Sequence, residues 1–123
     1  MYSWIEGKRR KIKESKIIAD DKIHFKFERN TAFIRGTLIF VDGSILRFME
    51  FIDMLNKLHR YRFQWMDSKN YLIRRWDNAP HHKEISSFPH HTHIQGKSNP
   101  VASRDITLEE VLDFIEGEIL IRR

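Results

Sequence analysis

From Lys22 the apolar and polar positions alternate with a period of two. Ile23, Phe25 and Phe27 fall on one side and His24, Lys26 and Glu28 on the other, the pattern of a half-buried strand. Asn30 then turns the chain. The runs Thr31 to Val41 and Ser44 to Ile52 flank Asp42-Gly43, a dipeptide that tolerates positive φ and predicts a tight hairpin between antiparallel neighbours. A two-residue loop there pairs Val41 with Ser44 and, counting outward, sets Ile39 opposite Leu46, Thr37 opposite Phe48 and Arg35 opposite Glu50. Met54 to Arg60 reads as a loop or a helical turn, because Phe51, Leu55 and Leu58 also match helical spacing. Tyr61, Phe63 and Trp65 then alternate against Arg62, Gln64 and Met66. Asp67-Ser68-Lys69-Asn70 reverses the chain and Tyr71 to Trp76 returns, giving a second hairpin.

Near the carboxy end the period changes to that of a helix. Leu108, Val111, Leu112, Ile115 and Ile119 recur at helical spacing, Asp105 or Thr107 is placed to cap, and Glu109 and Glu110 suit the first turn. A helix over 105–122 follows. Pro80, Pro89 and Pro100 interrupt the stretch 77–103, which is expected to be ordered but irregular. At the amino end, residues 1–16 set Lys8, Arg9, Arg10, Lys11 and Lys13 around a single Ile12. They offer little to a core and read as a basic arm or a short surface helix. The fold expected is α+β: an antiparallel meander of about five strands with the carboxy-terminal helix packed on one face.

A chain of 123 residues suits one domain, 1–123, with a modest core. Nine Phe, three Trp and three Tyr exclude a disordered chain. No apolar run approaches the roughly 20 residues that a bilayer crossing needs, and Met1 to Arg10 is charged where a signal peptide is apolar. A cytoplasmic protein is therefore expected. The absence of cysteine removes disulfides, thiolate catalysis and cysteine-based zinc sites. A formal charge of +5 with neutral histidines favours an anionic partner.

Five of the seven histidines fall within residues 81–93, as His81-His82 and His90-His91-Thr92-His93. Arg74 and Arg75 precede them directly. Three readings compete. In the first, His91 and His93, on one side of an extended segment, join His81 or His82 and Asp77 in a nitrogen and oxygen metal site. In the second, imidazoles move protons during cleavage of an RNA phosphodiester while arginines stabilise the charge on phosphorus, with Trp76, Tyr61 and Phe88 available to stack on unpaired bases. In the third, histidines, prolines and Asn78 lock a loop against the sheet through backbone hydrogen bonds. The Arg35 and Glu50 pair has a similar double reading, as a structural ion pair or as an arginine held for an anion.

The runs Tyr61-Arg62-Phe63-Gln64-Trp65, Leu72 through Arg74-Arg75-Trp76-Asp77-Asn78-Ala79-Pro80-His81-His82, and Phe88-Pro89-His90-His91-Thr92-His93 resemble the TumE family of small prokaryotic proteins. The Asp42-Gly43-Ser44 hairpin and Glu50 are also similar, and the likeness covers roughly Phe33 to Ile94. It implies the toxin of a type II toxin–antitoxin module, bound and inhibited by a helix-turn-helix antitoxin that represses their operon. The matching positions are Glu50, Arg75, Asp77, Asn78, His81, His82, His90, His91 and His93. With the residue chemistry, the resemblance leads to the expectation of an RNA-directed toxin, a histidine-dependent endoribonuclease that needs no metal or other cofactor. His81, His90 and His91 would transfer protons and Asp77 would orient an imidazole. Arg74 and Arg75 would hold phosphate, with Asn78, His82, His93, Arg35 and Glu50 completing the substrate site. RNA, the antitoxin and a second copy in a homodimer are the expected partners, and no membrane is. The alternatives are a non-catalytic module that binds nucleic acid or protein, and a metal-binding protein using His81, His91 and His93.

Overall fold

The computed structural model describes residues 1–80 and 88–121. Among the described residues, helix α1 (Tyr2–Glu14) leads into seven strands, β1 (Ile18–Phe27), β2 (Thr31–Phe40), β3 (Ile45–Asp53), β4 (Leu58–Met66), β5 (Leu72–Asp77), β6 (His91–Ile94) and β7 (Val101–Ala102), followed by helix α2 (Leu108–Ile121). The strands form one antiparallel sheet in sequence order, so each pairs with its chain neighbour. This is the α+β meander expected from the alternation, with two strands more than predicted. The extra pair lies inside the stretch 77–103 that the prolines marked as irregular, β6 beginning two residues after Pro89 and β7 directly after Pro100. Proline forbids a ladder bond only at its own position, and the short runs that follow Pro89 and Pro100 pair with each other.

The first hairpin corrects the predicted register. Its loop has three residues, Val41 to Gly43: the Gly43 N–H donates to the Phe40 carbonyl at 2.9 Å and the Phe40 N–H to the Ser44 carbonyl at 2.9 Å. Gly43 stands at φ +87°, the left-handed residue that completes such a loop, and Asp42 Oδ1 accepts the Ser44 N–H at 2.9 Å. The observed partners are therefore Leu38 with Leu46, Gly36 with Phe48, Ile34 with Glu50 and Arg35 with Met49. A slip of one residue moves a side chain to the other face of a sheet. Arg35 and Glu50 thus lie on opposite faces, and the predicted ion pair between them does not exist.

Both helices cover one face. Ala32, Ile34, Leu38, Phe40, Leu46, Phe48, Tyr61, Phe63, Trp65 and Trp76 are buried there. On α2, Leu108, Val111, Leu112, Ile115 and Ile119 are buried, and Phe114 meets Trp65 and Trp76 edge-on at 6.4 and 5.5 Å between ring centroids. Thr107 and Glu110 cap the helix reciprocally. The Thr107 hydroxyl accepts the Glu110 N–H at 3.3 Å and Glu110 Oε1 accepts the Thr107 N–H at 3.2 Å, the arrangement of a capping box. Gly36 lets β1 approach closely, because a Cβ there would stand 2.4 Å from the Lys22 carbonyl oxygen.

The amino-terminal segment is not the core-free arm that its charge suggested. Ile5, Lys8 and Ile12 form one buried stripe along α1 at helical spacing. Lys8 is 1% exposed and its Nζ lies 2.9 Å from Glu50 Oε1 and 2.6 Å from Glu109 Oε1. It also sits 4.4 Å from the Trp4 ring centroid. Removing one partner of a buried ion pair leaves an uncompensated charge and costs about 3–5 kcal/mol. Lys8→Ala is expected to destabilise the protein by that amount in chemical denaturation, and Lys8→Ala with Glu50→Gln by less than the single change. A single variant that unfolds at the wild-type midpoint would remove the pair from the fold's supports.

Candidate functional site on the helix-free face

Strand alternation sends a second set of side chains to the face away from the helices. Two cross-strand rows run over it. One row passes from Arg35 on β2 through Met49 on β3 and Arg62 on β4 to Asp77 on β5 and His91 on β6. The next passes from Thr37 through Arg47, Gln64 and Arg75 to His93. Arg35, Arg47 and Arg62 are exposed and line a shallow depression with Met49 and Gln64. An adjoining cleft is lined by Met49, Arg60, Arg62, Arg75, Asp77, Asn78 and Pro80. The face therefore carries one arginine on each of β2, β3, β4 and β5, alternating between the two rows, and ends in a carboxylate and two imidazoles.

That terminal cluster is tightly arranged. His91 is 1% exposed and Asp77 4%. His91 Nε2 stands 2.8 Å from Asp77 Oδ1, and His91 Nδ1 donates to the Pro89 carbonyl at 2.9 Å. The Asp77 carboxylate also accepts the Ala79 N–H at 3.1 Å and faces Arg75 Nε at 3.4 Å. The rings of His91 and His93 meet edge-on with centroids 5.1 Å apart. Donor atoms of Asp77, His91 and His93 all lie within 4.8 Å of one another, so these three residues are able to hold a metal ion.

The helix side carries a different polar network. Glu50 is fully buried. Its Oε1 faces Lys8 and accepts the Leu108 N–H at 3.1 Å, and its Oε2 lies 2.7 Å from His59 Nε2. His59 Nδ1 in turn lies 2.8 Å from Asp105 Oδ1. A ring between two carboxylates is bonded at both nitrogens only when doubly protonated. Burial works against that charge, but the bonds to Glu50 and Asp105 outweigh it and hold His59 above its ordinary pKa. The Tyr61 hydroxyl bonds His90 Nδ1 at 2.8 Å, and the two rings stack with centroids 5.8 Å apart. Burial pushes the Tyr61 hydroxyl well above its ordinary pKa, and the charges of Asp105, Asp77 and Glu50 add to it.

The predicted site residues therefore divide. Asp77, His91, His93 and Arg75 come together, and Arg35 shares their face from the far end of the stripe. His90 lies on the helix side against Tyr61, and Glu50 binds Lys8, His59 and α2 rather than the open face. Arg74 separates from Arg75 for the same reason of alternation: its guanidinium packs 4.7 Å from the Phe114 ring centroid and 5.7 Å from that of Trp76. Burial lowers its pKa, and Glu118 partly offsets the fall. Trp76 and Tyr61 are buried, at 4% and 3% exposure, so neither offers the stacking surface expected of it. Asn78 accepts the Tyr61 N–H at 2.9 Å and donates to the His59 carbonyl at 2.6 Å. His81 and His82 lie outside the described residues. Sequence reading missed Arg47 and His59; the corrected register would have found Arg47, two positions before Met49 on the face of Arg35.

The family model described as Toxin TumE matches residues 8–119. No curated protein and no solved structure matches the chain. The chain belongs to the TumE toxin family, and a toxin of this kind implies an antitoxin as partner. Among the described residues, no helix is long and apolar enough to cross a membrane.

His59 gives the fold a pH dependence of definite sign. Its folded pKa exceeds the unfolded value of 6.5. The stabilisation is then fully present below about pH 6.5 and is lost as pH rises through the folded value. Denaturation midpoints across that window are expected to fall more steeply for the wild type than for His59→Gln. Parallel curves would show that the ring is not charged between its carboxylates.

Proposed function

We propose that this toxin acts on RNA as a histidine-dependent endoribonuclease, and that a helix-turn-helix antitoxin of a type II module holds it in check. The reading rests on one observation: the Asp77, His91 and His93 cluster terminates a stripe of arginines on a sheet face that the helices leave uncovered. A single strand of RNA crossing the sheet from β2 to β6 meets Arg35, Arg47, Arg62 and Arg75 in succession, and its phosphates then approach the two imidazoles.

RNA supplies its own nucleophile, the 2′-hydroxyl beside each phosphodiester. Cleavage requires that the hydroxyl lose a proton, that charge on phosphorus be stabilised, and that the departing oxygen gain a proton. Among the described residues, Arg75 and Arg62 stand beside the cluster, and a guanidinium pairs with phosphate through two parallel bonds. His93, partly exposed, stands at the rim where a bound strand passes, and His91 is oriented from behind by the Pro89 carbonyl. His90 is left out of this centre because Tyr61 and the sheet hold it on the other side.

Purified protein incubated with single-stranded RNA is expected to cut it, and His93→Ala is expected to lower the rate by about 10²-fold or more, as for loss of an acid–base group. Arg47→Ala with Arg62→Ala is expected to weaken binding and reduce the slope of log affinity against log salt by about 1.4, roughly 0.7 for each lost phosphate contact. Growth arrest on expression should be relieved by Arg75→Ala in a protein that still folds. RNA bound but uncut would leave a binding module, and no binding at any salt concentration would overturn the reading.

A further inference from the structure

We infer that Asp77, His91 and His93 form a binding site for a divalent transition-metal ion of the zinc, manganese or iron class. The argument starts from the His91 ring. Its Nδ1 lies 2.9 Å from the Pro89 carbonyl oxygen, and a carbonyl only accepts, so Nδ1 carries the hydrogen. In the neutral ring the Nε2 lone pair then points at Asp77 Oδ1, 2.8 Å away, with side-chain exposures of 1% and 5%. Two acceptors facing each other in a buried position repel, and the arrangement is stable only with a positive charge shared between them. Either a proton or a metal ion supplies it.

The surroundings favour the metal. A proton would need only His91 and Asp77, whereas a third donor, His93, is brought within 4.8 Å of both. It is brought there by the sheet itself: Asp77 pairs with His91 and Arg75 with His93 across β5 and β6, and His91 and His93 are two apart on one strand, hence on one face. Two imidazoles and a carboxylate are a donor set suited to borderline divalent ions and leave further coordination positions open. A backbone carbonyl accepting the second ring N–H is also the usual way a ligating histidine is held. At metal–ligand distances of about 2.0–2.2 Å, tetrahedral donors stand about 3.3 Å apart. The Asp77 and His91 atoms must therefore separate by roughly half an ångström, a small rotation of the carboxylate. Arg75 faces the other carboxylate oxygen, so the ligating atom is Oδ1, which also accepts the Ala79 N–H.

Metal binding is measured without RNA, so it stands apart from the proposed ribonuclease activity; only its consequence for cleavage rests on that reading. The full chain, stripped with a chelator, is titrated calorimetrically with Zn2+ and with Mn2+, and with Co2+ while its visible absorption is followed. One equivalent of Zn2+ or Mn2+ is expected to bind, raising the melting temperature, with a Co2+ spectrum of mixed nitrogen and oxygen ligation. Asp77→Asn, His91→Ala and His93→Ala should each weaken binding at least tenfold, while His90→Ala should leave it unchanged. Circular dichroism identifies any variant that fails to fold, and His93→Gln serves as a milder replacement at the rim. Absence of stoichiometric binding to the wild type, or wild-type affinity in folded Asp77 and His93 variants, would overturn the site. RNA cleavage that a chelator abolishes would place the ion in the active form. Cleavage by a protein that binds no metal would end this inference and keep the ribonuclease, and metal binding without cleavage would do the reverse.

Discussion

One buried carboxylate ties the elements together. Glu50 on β3 meets Lys8 from α1, His59 from β4 and the first N–H of α2, so both helices and two strands converge on two oxygen atoms. A carboxylate taken out of water costs several kcal/mol unless its lone pairs are filled, and here each oxygen is engaged. The helix terminus adds its partial positive charge to those of the lysine and the histidine. The same contacts fix where α2 begins and how α1 lies against it. The helices are thereby committed to one side of the sheet, and their apolar stripes close over Phe63, Trp65 and Trp76.

That commitment leaves the reverse face open, and the period of two then sorts the chemistry. Neighbours in sequence separate completely. Arg74 goes under α2 while Arg75 turns toward Asp77, and His90 stacks on Tyr61 while His91 joins the carboxylate. The result is two polar systems divided by the sheet: one holds the helices in place, and the other is presented outward beside the exposed arginines. A mutation in either member of such a pair probes a different system, although the residues are adjacent in the chain.

Much of this was legible in the pattern of residues. Alternation located the strands, and Asp67 to Asn70 marked its turn. Asp105 and Thr107 both stood out as caps for α2, and Thr107 is the one used. The failures share a cause. Asp42-Gly43 signals a hairpin but does not distinguish a two-residue loop from a three-residue loop ending in a left-handed glycine, and that single residue decides the face of every side chain on β2 relative to β3. Placing Arg35 against Glu50 hid both the structural role of the carboxylate and the arginine stripe. Five cations crowding Ile12 point Lys8 toward solvent, yet its position between Ile5 and Ile12 on one helical stripe aims it inward, where only a buried acid could receive it. The histidine cluster was conspicuous as composition, but its division across the sheet depends on where β6 begins, and the flanking prolines obscured that start.

The open face also fixes the spacing of the groups that lead to the terminal cluster. A sheet five strands wide between Arg35 and His91 holds its side chains at fixed spacing, because each strand is bonded to the next along its length. Positively charged groups placed in this way repel one another, a repulsion that an anion lying across them would relieve. Asp77 is the acidic member of the two rows, and it is the member drawn inward, bonded to the Ala79 N–H and faced by Arg75 and His91. Had it stood exposed in mid-stripe, it would have repelled any polyanion on the face. Withdrawn to the end among these neighbours, it leaves the two rows without an exposed carboxylate while keeping one where two imidazoles converge.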